Sequence, residues 1–146
     1  MFKYIYLILL VVLFNSCETR EELASKKLIG QWAIHDMTNN GKDCKDDLIV
    51  NYLMFHEKGF SIPEIYDYSA EDENSNNEWN LSFDNQKLKL SLKCYNKIFE
   101  GSYELTFFKN YQERLLGIKL KSKTTSIIAY KFLQNFDSHR NWDTEY

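Results

Sequence analysis

The side chains that could do chemistry are few and scattered. The densest set is the acidic stretch Asp67–Glu78. There Asp67, Ser69, Glu71, Glu73, Ser75 and Glu78 fall at the 1, 3, 5, 7, 9 and 12 spacings of a calcium-binding loop. The sixth position, whose sharp turn demands glycine, is Asp72, and strand-patterned runs flank the segment. It therefore reads as a solvated acidic loop. His35, His56 and His139 form no H-x-x-x-H or H-x-H pair, so no metal site is expected. No serine sits in G-x-S-x-G, no cysteine in a protease-like context, and no glycine-rich loop could cradle a phosphate. With 21 Asp and Glu, no carboxylate pair stands out as a glycosidase dyad. Asn80-Leu81-Ser82 fits a glycosylation sequon but lies within a strand pattern and is set aside. No catalytic residue and no cofactor is expected, and the chain reads as a non-enzyme.

Composition narrows the class. A chain of 146 residues holds one well-packed domain. Eighteen Lys and Arg against 21 Asp and Glu give a net charge of −3, which argues against a nucleic-acid partner. Hydrophobic residues at 44% and aromatics at 16% supply a core and argue against disorder.

The N-terminal segment reads as an address. Lys3 precedes the ten-residue apolar run Ile5–Phe14. A membrane-spanning helix needs about 20 such residues, so this run suits a secretory h-region instead. Asn15, Ser16 and Cys17 follow. A small residue before a cysteine, directly after an h-region, resembles the bacterial lipobox. That resemblance implies cleavage before Cys17, acylation of Cys17, and attachment to a lipid bilayer. It divides the chain into a signal peptide (1–16), a lipidated Cys with a charged tether (17–25) and a folded domain with a polar C-terminal tail (26–146). The implied location is the outer membrane, on its periplasmic or cell-surface side.

The remainder alternates apolar and polar residues with period two, the mark of half-buried strands. After one helical turn over Ser25–Ile29, eight strands are predicted. They are Gln31–Met37, Leu48–Phe55, Gly59–Ile62, Trp79–Phe83, Leu88–Cys94, Phe99–Phe107, Arg114–Lys121 and Ser126–Leu133. The second is apolar on both faces. In the last, Ile128, Tyr130 and Phe132 are assigned to the inner face. Short polar connections make this an antiparallel meander. Closure removes its exposed edges, so the expected fold is all-β, an eight-stranded up-and-down barrel; an open sandwich is the alternative.

Leu28-Ile29-Gly30-Gln31-Trp32 is similar to the G-x-W opening of lipocalins and bacterial lipocalin-like domains. The resemblance covers Lys26–Leu133. It implies a barrel with an internal site for apolar small molecules, and a basic side chain stacked on Trp32. Lys131 and Arg140 are the candidates, and Arg140 is favoured because a planar guanidinium stacks well.

In such a barrel alternate connections share one end, opposite the chain termini. Loops Thr38–Asp47, Glu64–Glu78 and Tyr95–Ile98 then ring a mouth pointing away from the bilayer. Cys44 and Cys94 both fall there. An exported compartment permits a Cys44–Cys94 disulfide, expected over the alternative of two unpaired thiols. Tyr66, Tyr68, Trp79, Tyr95, Phe99 and Tyr103 are placed near the same mouth. They could line a ligand or fill a packed core. The leading functional expectation is a non-catalytic binding module for a small apolar or amphipathic ligand. The alternative is a protein-interaction module, an envelope-complex subunit or an immunity or inhibitor protein, acting through the acidic 64–78 loop.

Overall fold

A computed structural model describes residues 18–63 and 77–143. The first element is longer than one helical turn. Helix α1 spans Arg20–Leu28 and opens with a capping box, Thr19 accepting from the Glu22 amide while the Glu22 carboxylate accepts from the Thr19 amide. Glu21 and Glu22 lie in its first turn and Lys26 and Lys27 in its last, matching the helix dipole. Ala24 and Leu28 are fully buried, so residues 20–25, read from sequence as a solvated tether, belong to the folded domain.

Among the described residues nine strands follow: β1 (Gly30–Asn39), β2 (Lys42–Asp43), β3 (Tyr52–His56), β4 (Gly59–Ser61), β5 (Glu78–Asp84), β6 (Lys87–Lys93), β7 (Gly101–Asn110), β8 (Leu115–Lys121) and β9 (Thr125–Lys131). They form an antiparallel sheet in the order β4-β3-β1-β9-β8-β7-β6-β5, with the short β2 hairpinned onto β1. The first and last strands of that order meet where the Phe60 amide donates to the Asn77 carbonyl at 3.4 Å. The result is an eight-stranded, nearly closed, up-and-down barrel. Two hairpins use residues at positive φ, Asn40-Gly41 and Asn85-Gln86, in keeping with the twist that two-residue turns require.

The inner faces merge into one core that includes Trp32, Leu53, Phe55, Leu90, Tyr103 and Ile118, all at most 1% exposed. Several strand assignments differ from the sequence reading, β2 among them, since it lies in the segment read as the loop Thr38–Asp47. β3 starts at Tyr52, leaving Ile49 and Val50 in a loop at 48% and 38% exposure rather than in a two-sided strand. Phe99 is buried but precedes β7. In β9 the inner face is Thr125, Ile127 and Ala129, not Ile128, Tyr130 and Phe132; Phe132 is 51% exposed. Apolar residues occupy both parities of this strand, so alternation alone does not choose its face, whereas pairing of Ile127 with Met37 and Leu120 does.

Candidate functional site

The two ends of the barrel are built differently. At the end holding the β6–β7 and β8–β9 connections, a buried turn acts as a cap. The Asn96 carbonyl accepts from the amides of Phe99 and Glu100, both at 3.0 Å, and its side chain accepts from the Ile98 amide. The Tyr103 hydroxyl donates to the Phe99 carbonyl at 2.9 Å, and Thr125 donates to the Ile98 carbonyl at 3.3 Å. Burial pushes the Tyr103 phenol up to about 12 and the Cys94 thiol up to about 11.

This geometry separates the expected mouth aromatics. Phe99 and Tyr103 are core side chains, with the Tyr103 hydroxyl engaged by backbone. Tyr95 is half-buried in the turn. Trp79 lies at the β4–β5 seam, where its indole donates to the carbonyls of His56 (2.8 Å) and Gly59 (3.0 Å) and so straps the barrel shut where the backbone ladder thins. Tyr66 and Tyr68, with most of the acidic loop, lie outside the described residues. Among the described residues, the segment between β2 and β3 leaves the apolar pair Ile49–Val50 in solvent, anchored by the buried Leu48 and preceded by the exposed Asp46 and Asp47.

Cys44 and Cys94 are free rather than bridged. Each thiol faces a local carbonyl, Cys44 that of Lys42 at 3.4 Å and Cys94 that of Asn96 at 3.3 Å. The hairpin preceding Cys44 hangs from β1, and Cys94 directly follows β6. These two strands are four places apart around the ring in either direction, whereas a disulfide needs Cα atoms about 4.4–6.8 Å apart.

At the opposite end, α1 runs across the barrel from the Phe83 ring, over which Arg20 sits at 4.4 Å, to the start of β1. The G-x-W segment is explained here. Gly30 has φ +127°, and a Cβ on it would meet the Lys131 stem at 3.2 Å. Trp32 pairs across the sheet with Lys131, whose ammonium lies 5.0 Å from the Trp32 ring centroid and 5.3 Å from that of Trp142, and donates to the Lys27 carbonyl. The basic partner of Trp32 is therefore Lys131; Arg140 is exposed on the tail. The inverted face of β9 is the cause, because it turns Lys131 inward. Burial pushes Lys131 down to about 8.

Sequence reasoning missed Trp142. It is 1% exposed, packs against Trp32 and Phe107, and donates to the Gly117 carbonyl at 3.2 Å. The C-terminal segment read as a polar tail is thus part of the fold, and a tryptophan within it was the available signal. Between this segment and α1 lies an open cleft of about 510 Å³, bordered by Leu23, Lys27, His139, Arg140 and Trp142. His35 rests on Tyr130 outside the barrel, His56 is in a hairpin and His139 is in the cleft, and among the described residues no cluster could hold a metal ion.

The architecture is thus a nearly closed barrel with a hydrogen-bonded cap at one end and a helix across the other. The chain matches no model of a known protein family, no curated protein and no solved structure.

Proposed function

We propose that this chain is a lipid-anchored, non-catalytic lipoprotein of the cell envelope whose barrel presents the loops opposite its anchor to a protein partner. The lipobox-like Cys17 and the G-x-W similarity to lipocalin-like domains support the class. The observation that carries the partner is the Ile49–Val50 pair, two large apolar side chains left in solvent beside Asp46 and Asp47. An apolar centre with a charged rim is the pattern of a protein contact. A small ligand inside the barrel is the weaker reading, because Phe99 and Tyr103, two of the side chains that could have lined it, are committed to the core and cap.

The test places a photoreactive side chain at Ile49 in the source cells, with Lys119 on the outer barrel wall as the control. A discrete crosslinked species at 49 only, lost when Val50 becomes Asp while the melting temperature holds, is the expected result. A stoichiometric small-molecule adduct in native mass spectrometry with a cell lipid extract, and no crosslink, would instead restore the ligand reading.

A further inference from the structure

Among the described residues the exposed large apolar side chains are Leu23, Ile49, Val50, Tyr111, Phe132 and Leu133. Four of the six fall at the helix-covered base. Tyr111 is 68% and Leu133 94% exposed. Tyr111 is tied to this end by a ring contact, Leu133 approaches the cleft through its neighbour Gln134, and Leu23 lines it. Tyr111 packs edge-on against Phe136 at 5.6 Å, and Lys109 lies over the same ring at 4.7 Å. Leu133 adjoins Gln134, which pairs with His139 at 2.7 Å on the cleft wall, and Leu23 closes the far side.

Cations accompany this apolar surface. Lys27, Lys109, Lys131 and Arg140 surround His139, and burial together with the charges of Lys131, Lys109 and Lys27 holds its imidazole below its ordinary range. Of the carboxylates at this end, Asp137 is paired with Arg114, Glu18 with Lys26, Glu113 accepts from Asn110 and Glu22 from the Thr19 amide, while Glu21 and Asp143 also lie here. Apolar and aromatic tips mixed with Lys and Arg suit the interface of an anionic bilayer.

The path of the chain points the same way. Cys17 is three residues from Arg20, a reach of at most ~10 Å. Glu18 is folded back onto Lys26 at 2.6 Å, and Arg20 sits on Phe83 at the base rim. An anchor at Cys17 leaves no length for the barrel to stand away from the lipid. We propose that the base of the barrel lies on the bilayer as an anionic-lipid-binding face, with Tyr111, Phe132 and Leu133 at headgroup depth and Lys109 and Arg140 against lipid phosphates. The proposal rests on the reading of Cys17 as the lipidated residue.

The test uses protein purified from membranes as the cell processes it, reconstituted into vesicles of phosphatidylglycerol and phosphatidylcholine. Nitroxide labels are placed at Leu133→Cys and, because Leu133 sits at φ 52°, independently at Tyr111→Cys, with Ile49→Cys as the distal control. The buried Cys44 and Cys94 leave the introduced thiol as the target. The oxygen-to-nickel accessibility ratio is expected to be severalfold higher at 133 and 111 than at 49. Lys109→Glu with Arg140→Glu should bring it back toward the control. Acylated protein with ratios at 133 and 111 equal to that at 49 overturns the proposal. An intact mass lacking acyl chains refutes the lipidation reading separately. Flotation of that unanchored protein then decides: preference for phosphatidylglycerol vesicles sustains the face, and none overturns it.

Discussion

Lys131 offers a sharp test of the base architecture. Its ammonium is held over two indoles and against the Lys27 carbonyl, with burial lowering its value from 10.5 to about 8. A lysine whose folded value is depressed costs the folded state stability while it is forced to stay charged, and that cost is relieved as pH rises through the folded value. Between pH 7 and 9 the unfolded chain keeps this proton while the folded chain releases it, so stability must rise with pH in this window. Integration over the window gives about 1 kcal/mol, after discounting for the water that still reaches this half-buried side chain. Cys94 and Tyr103 act in the opposite direction. Burial raises both, so their contributions are lost as pH climbs past their unfolded values of 9.0 and 10.0. A comparison removes them. Lys131→Met keeps an unbranched stem, lacks the proton, and leaves Cys94 and Tyr103 in place. Urea unfolding of both proteins at pH 7, 8 and 9 should show wild type gaining about 1 kcal/mol on the variant across the series. A difference that stays flat would mean that the ammonium is hydrated in the folded state and is not buried over the two indoles.

Two further outcomes are expected. Gly117 faces the Phe108 ring, whose Cζ would lie 2.3 Å from an added Cβ, so Gly117→Ala should lower stability by about 1–3 kcal/mol. Phe108→Leu in the same chain should recover most of that loss, and additive losses in thermal unfolding would refute the ring-on-glycine explanation. The thiols of Cys44 and Cys94 should resist alkylation in the native protein and react once it is denatured. A melting temperature that falls on reduction would contradict the free-thiol structure.

Much of the barrel was legible in the chain itself. A strand such as Leu88–Cys94 alternates cleanly, because one face must be dry and the other wet, and the structure buries Leu88, Leu90 and Leu92 as that pattern demands, as it does Leu116, Ile118 and Leu120 of β8. The helix start is equally present, since Thr19 and Glu22 have the spacing of a capping box. The meander order also follows from short connections, which join neighbours in space. Tertiary structure alone decided the rest. Ser126–Leu133 is apolar on both parities, so its face, and with it the burial of Lys131 over Trp32, depended on which partners β1 and β8 presented. The separation of Cys44 from Cys94 depended on ring closure, which puts β1 and β6 opposite each other, a distance no loop length encodes. Trp142 lies 110 residues from Trp32, and only the closed barrel brings those rings to 6.0 Å. Local pattern reports which side of a strand must avoid water; it carries no information on which distant surface will provide the shelter.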